Sequence, residues 1–310
     1  MNTFLKKIFF FIFPIALFFA GVEIYFRSQD HPFKLKSNFQ IENVLTIENL
    51  FLGTSHTQNA INPEFFKNKT SNLGFASQDI KLDLALFEKY GPKMKRLKNV
   101  IIELDYHRLD EENSANYFRI PWYYMYHDIE VYPVSFLNKI SLYSSNNQFF
   151  NTNLMNSLKP NYQEKEVNKY GFVLKNFNDE FAPMKYDSVE IYKSAAIRLK
   201  DRHKNISLQA RENNKKRINR MIEYCQQNDI NVYILTVPLC QTYRDLKIAE
   251  KDAYRKKYID SLVNHAKVKL LDYESSSKFS LQHFSNDDHL NPSGAEKLCK
   301  LIGFDMKSSF

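Results

Sequence analysis

Asn49-Leu50-Phe51-Leu52-Gly53-Thr54-Ser55-His56, answered more than two hundred residues later by Asp287-Asp288-His289-Leu290-Asn291, decides how this chain is read. The apolar run Leu50–Leu52 suits a short buried strand, and Gly53 supplies the backbone freedom for a sharp turn into the next segment. That puts the Ser55 hydroxyl at a strand's carboxyl end. A neutral serine is a poor nucleophile, so reaction there needs an imidazole to take its proton and donors to meet a developing oxyanion. His289 is the imidazole the second stretch offers.

Outward from Gly53, strands and helices alternate. The pattern predicts a short strand at Ser71–Leu73, a helix from about Gln78 to Tyr90 stopped by Gly91-Pro92, and a strand at Val100–Leu104. Ile218, Met221, Ile222 and Cys225 share one helical face, and Asn231–Val237 reads as a buried strand ended by Pro238. A polar helix near Ala249–Ala266, a strand at Val268–Leu271 and a last helix complete the pattern. That helix has Asn291 as N-cap, Pro292 at its first position, and Ala295, Leu298, Cys299 and Ile302 on one face. Such alternation argues for an α/β fold, a flavodoxin-like three-layer sandwich whose parallel sheet is covered on both sides. Sites in these sheets lie at the strands' carboxyl ends, where Ser55 falls and a loop bearing His289 can reach it. Asp30 to Glu48 reads as a polar connector with some strand character. From Tyr106 to about Asn205 the alternation breaks in a Tyr-, Phe- and Asn-rich stretch containing Pro121-Trp122-Tyr123-Tyr124-Met125-Tyr126. It is read as an insertion emerging near the active face, with its aromatics forming either its own small core or a binding surface.

Three blocks in order resemble the SGNH (GDSL-like) hydrolase superfamily, especially its membrane-anchored bacterial branch associated with cell-surface acyl transfer. They are Gly53-Thr54-Ser55-His56, Ser71-Asn72-Leu73-Gly74-Phe75-Ala76-Ser77-Gln78-Asp79, and Asp287-Asp288-His289-Leu290-Asn291-Pro292. The resemblance implies Ser55 as nucleophile, His289 as base, and the N–H groups of Ser55 and Gly74 as oxyanion donors. The family usually has Asp three residues before the histidine, where this chain has Asn286. Asp287, at the closer Asp-x-His spacing of related alginate-acetylation proteins, is the expected orienter of His289, with the Asn286 amide as the alternative. The family's third block usually brings an Asn to the oxyanion; the matching strand here, Val100-Ile101-Ile102-Glu103-Leu104-Asp105-Tyr106-His107, has none.

Residues Ile8 to Phe26 form an almost unbroken apolar run behind Lys6 and Lys7, interrupted by Glu23. As a helix it would extend about 28 Å, close to a bilayer's hydrocarbon thickness. A cleaved signal peptide is the rival reading, but no small-residue cleavage site comes after the run, so an uncleaved anchor over residues 1–30 is expected, with residues 31–310 as one α/β domain. Lys6 and Lys7 favour a cytoplasmic N-terminus, which makes the chain a single-pass protein of the inner (cytoplasmic) membrane with its bulk on the periplasmic side. A net charge of +8 comes from dispersed basic residues, and no nucleic-acid partner is expected. Cys225 and Cys299 lie on apolar helix faces and read as small core residues rather than a disulfide framework. The repeated Asp-x-His spacing at Asp105/His107 and Asp287/His289 supplies too few converging ligands for a metal, so neither metal nor cofactor is expected.

The function these readings imply is serine acyl transfer outside the cytoplasm, through an acyl-Ser55 intermediate, on ester or acyl groups of cell-envelope polysaccharide. The expected partners are the lipid bilayer, the polysaccharide or acyl donor, and a membrane-bound O-acyltransferase or other membrane complex. The alternative is a non-catalytic scaffold subunit that retains the fold.

Overall fold

The structure, a computed structural model, describes residues 2–159 and 167–308; residues 160–166, inside the expected insertion, lie outside it. In chain order the first half comprises α1 (Asn2–Ser28), α2 (Pro32–Asn43), β1 (Asn49–Leu52), α3 (Ser55–Ala60), β2 (Thr70–Asn72), α4 (Ile80–Tyr90), β3 (Asn99–Glu103), α5 (Ile120–His127), α6 (Phe136–Ile140) and α7 (Asn147–Ser157). The second half comprises α8 (Ser188–Arg198), α9 (Leu208–Gln227), β4 (Asn231–Thr236), α10 (Gln241–Asp245), α11 (Ala249–Val263), β5 (Val268–Asp272) and α12 (Pro292–Ser308).

The five strands pair in parallel in the order β2-β1-β3-β4-β5, the flavodoxin-like arrangement. Side chains alternate across it. Phe51, Ile101, Tyr233 and Leu235 join Leu298, Cys299 and Ile302 of α12 in one core cluster. Their neighbours Leu50, Leu52, Val100, Ile102, Val232 and Ile234 point the other way and are equally sealed from water. Helices therefore cover both faces, as the near-continuous apolar strands require. An asparagine ladder sets the register at the strands' amino ends. Asn231 donates to Asn99 (3.1 Å), Asn99 to Asn49 (2.8 Å) and Asn49 to Thr70 (3.0 Å), tying four neighbouring strands. A slip of one strand by one residue would break the ladder and turn that strand's side chains to the opposite faces.

The expected polar connector is a helix instead. In α2, Phe33, Lys36, Ser37, Phe39 and Gln40 are buried, a helical spacing that its polar members disguise. Lys36 is spent internally: its Nζ donates to Gly74 O (2.5 Å), and burial lowers its pKa to about 7.

The chain divides into two compact units, Met1–His31 with Ser114–Glu164, and Pro32–Asn113 with Lys165–Phe310. This redraws the expected 1–30 and 31–310 boundary and splits the expected 106–205 insertion. Residues 114–159 pack with α1 because the Glu23 carboxylate accepts from Leu142 N (2.9 Å), Tyr143 N (3.2 Å) and Ser141 Oγ (3.0 Å). Trp122, Phe149 and Phe150 form an aromatic cluster there, so the aromatic stretch builds a small core. Residues 167–205 belong with the sheet.

Asn99→Val removes both ladder bonds of the middle strand and leaves their partners unsatisfied. It should lower stability by about 1–3 kcal/mol, read from urea unfolding, while reactivity per folded molecule is retained.

Candidate active site

Ser55 opens α3 directly beyond β1, and a buried carboxylate holds the turn that presents it. Glu103, at the end of β3, accepts from Thr54 N (2.7 Å), Thr54 Oγ1 (2.8 Å), Thr57 N (3.1 Å) and Thr57 Oγ1 (2.7 Å). Burial favours its neutral form, but the charges of Arg108 and His56 and these donors win and lower its pKa. Gly53 is required by this approach, since a Cβ there would collide with the Glu103 side chain and the Thr57 hydroxyl.

The loop before α12 brings His289 to the serine, with Nε2 2.8 Å from Ser55 Oγ. On its other side Nδ1 lies 3.0 Å from Asn286 Oδ1. The amide is oriented unambiguously, because Oδ1 also accepts from the N–H groups of Asp288 (3.2 Å) and His289 (3.0 Å), while Nδ2 donates to Asn178 O (3.0 Å). Nδ1 therefore carries the proton, and Nε2 is the unprotonated face toward Ser55. Asp288 Oδ1 is also 2.9 Å from Nδ1 and 2.7 Å from an Arg202 nitrogen, yet neither N–H is aligned to bond it. Asn286 thus orients the ring, and Asp288 acts on it through charge.

Behind this pair sits His56, wholly buried. Its Nδ1 is 2.6 Å from Asp105 Oδ2 and its Nε2 is 3.4 Å from Asp288 Oδ2. Burial opposes its charge, but hydrogen bonds and attraction to the two carboxylates outweigh it and raise the pKa to about 10. At neutral pH an imidazolium links the end of β3 to the final loop. Asp288 would be raised by burial, yet His289 and His56 hold it well below the usual carboxylate range. The His289 pKa is lowered as well: burial lowers it, Asp288 pulls it up, and the charges of His56 and Arg202 add to the fall. It is neutral and able to accept a proton at pH 7.

Two expectations are corrected here. Asp287 does not orient His289; its carboxylate meets Arg198 in a two-pronged pair (2.8 and 3.0 Å) and accepts from the Thr242 hydroxyl. Alternate residues of the loop face opposite ways, so Asp288 meets His289 and Asp287 is turned to α8. Gly74 N–H is already given to Asn72 Oδ1 (2.8 Å), whose Nδ2 donates to Thr57 O and Ile61 O. Among the described residues, Ser55 N–H is engaged by no other group and is the donor left beside its own hydroxyl. Where the third-block Asn is missing, Asp105 bonds His56 and Val237 N (3.0 Å). Sequence reasoning missed His56, Glu103, Asp105, Asp288 and Arg202 as a network. The available signal was the pair Glu103 and Asp105 in the otherwise apolar run Val100–Tyr106.

No protein-family model matches the chain, and no curated protein sequence matches it. Among solved structures it is similar to a candidate acylhydrolase from Bacteroides fragilis, with 14% identity, TM-score 0.43, and coverage of 87% of this chain and 95% of that one. It is also similar to a GDSL-like lipase from Bacteroides thetaiotaomicron, with 12% identity, TM-score 0.42, and coverage of 90% and 100%. A third is described as a candidate platelet activating factor from Streptococcus pneumonia, with 8% identity, TM-score 0.41, and coverage of 95% and 97%. Likeness this distant carries no argument about activity, which has to come from the site.

Among the described residues, three groups bring ligand atoms within 4.8 Å of one another: His56/Asp288/His289, His56/Glu103/His107 and His107/Glu111/His203. In the first two a metal would have to displace the proton held by His56. In the third, the His107 and His203 rings lie face to face at 4.2 Å and 16°, so a cation in the plane of one is off the plane of the other.

With the folded pKa of His289 depressed, the neutral base persists at pH 7 and is lost only as the pH falls below about 6.5. The acid limb of kcat/KM for an aryl ester should therefore lie below pH 6.5, and Arg202→Ala should move it upward. A limb at or above neutrality would contradict the arrangement. Asn286→Ala should reduce kcat/KM about 100-fold, whereas Asp287→Asn should lower thermal stability and leave the pH profile of the folded enzyme unmoved.

Proposed function

We propose that the chain is an esterase-type serine acyl-transfer enzyme in which Ser55 attacks an acyl carbonyl and His289 handles the proton. The observation that supports this most is the 2.8 Å contact between Ser55 Oγ and His289 Nε2, with His289 neutral. Oγ bonds to the carbonyl carbon as its proton passes to Nε2, and the Ser55 N–H meets the oxyanion. As the tetrahedral species collapses, the bond to the leaving oxygen breaks and Nε2 returns the proton to it, leaving acyl-Ser55. A second hydroxyl, of water or of a sugar, then gives its proton to Nε2 as its oxygen bonds to the acyl carbon; the bond to Oγ breaks and Nε2 returns the proton to Oγ, restoring Ser55. Asn286 keeps the ring in the correct tautomer. Asp288 stabilises the imidazolium formed in each half-reaction, and His56 with Arg202 keeps that carboxylate ionised.

The finer reading rests on the resemblance to the membrane-anchored SGNH branch. Among the described residues one helix, Thr3–Ser28, is long and apolar enough to cross a membrane, which supports a single-pass anchor; Lys6 and Lys7 ahead of it are the ground for an inner-membrane anchor with the active unit on the periplasmic side. An anchored enzyme there acts on O-acyl groups of envelope polysaccharide, beside a membrane-bound O-acyltransferase that hands over the acyl group. A second reading, a scaffold subunit without catalysis, is favoured by one observation: the Gly74 N–H is committed to Asn72.

A fluorophosphonate probe separates the two. Wild-type protein should be labelled covalently at Ser55, with labelling abolished in Ser55→Ala and reduced at least about 100-fold in His289→Ala. Folded wild-type protein that takes no label would support the scaffold.

A further inference from the structure

We infer that α6, with the loop directly after it, is a wedge seated in the lipid interface at the outer end of α1. The inference rests on the reading that α1 crosses a bilayer.

Glu23 is a costly residue within an apolar helix, and its carboxylate is almost wholly occupied. It pairs with Arg27 (2.6 Å) and accepts from Ser141, Leu142 and Tyr143, leaving its side chain 13% exposed. Arg27 in turn donates to Ile140 O (2.7 Å). The Tyr143 ring packs on Phe19 (5.6 Å between centroids) and Phe150 on Phe26 (4.7 Å). These contacts fix residues 140–143 against α1 at the level of Phe19 to Arg27.

That level can be placed in a bilayer. Lys6 and Lys7 belong at the cytoplasmic headgroups, so the apolar run enters lipid near Ile8. At 1.5 Å per residue Glu23 lies about 22 Å further along, short of the roughly 30 Å hydrocarbon thickness. The clasp therefore sits at or inside the outer hydrocarbon boundary, and α6, which leads directly into it, lies at the same depth. Among the residues of α6 none is buried; Phe136 is 75% exposed, Leu137 62% and Ile140 53%. Water is a poor solvent for three such side chains on one short helix, whereas the interfacial zone of a bilayer accommodates them. Lys139, the cation among them, is paired with Glu130 (2.7 Å). The charged side chain of α6 is thus neutralised within the unit.

The test uses the full chain reconstituted in phosphatidylcholine vesicles whose acyl chains are brominated either near the headgroup or near the chain end. Trp122 is the sole tryptophan, so Trp122→Phe provides a silent background for single reporters. Phe136→Trp should lose emission to bromine near the headgroup more than to bromine near the chain end. Phe10→Trp, within α1, should be quenched whatever becomes of α6. An unquenched reporter at 136 with a quenched one at 10 overturns the wedge and leaves the anchor standing; if both stay bright, the membrane reading beneath it falls as well. Should Trp122→Phe unfold the protein, a spin label on Phe136→Cys gives the same contrast through collision with oxygen against a water-soluble nickel chelate, since Cys225, Cys240 and Cys299 are all buried. Greater collision with the chelate would overturn the proposal.

Discussion

A protonated histidine held between two buried carboxylates is the interaction on which the site depends. His56 follows Ser55 in sequence, Asp105 lies just beyond β3, and Asp288 belongs to the loop before α12. Three segments far apart in the chain thus meet at one imidazolium. A buried charge without partners would be strongly destabilising, so the segments are held together by the cost of separating them. Because Asp288 and His289 are consecutive, fixing the first against His56 delivers the second to Ser55. The geometry that permits proton transfer is therefore a by-product of charge neutralisation one residue away.

The same network divides the titration behaviour of its histidines. His56, between carboxylates, holds its proton to about pH 10, while His203 is depressed to about 3, chiefly by burial. His289 is lowered by burial, pulled up by Asp288, and lowered further by the neighbouring positive charges. Environment, rather than residue type, keeps one imidazole charged at neutral pH and leaves another neutral and able to accept a proton.

Much of the fold was legible because its signals are local. The strands from Leu50, Val100 and Val232 follow from the continuous apolar runs that burial on both sheet faces imposes, and the spacing of Ile218 to Cys225 from a helix buried on one face. The α2 helix was not legible, since Lys36 and Gln40 are buried through polar contacts that only tertiary neighbours supply. The division of the aromatic stretch was hidden for the same reason: it turns on Glu23, whose partners lie more than a hundred residues away.

The serine and histidine at the two ends of the sheet domain, the strand order's general class and the apolar first helix were determined by the sequence alone, because each depends on residue type and short-range spacing. Which of Asn286, Asp287 and Asp288 faces His289 was decided only by the tertiary structure. Three adjacent polar side chains are equivalent on paper, and they become distinct when the loop turns one toward Arg198, one toward His56 and one toward the ring. The Gly74 N–H was assigned in the same way, since its engagement depends on how the Asn72 side chain folds back over the turn.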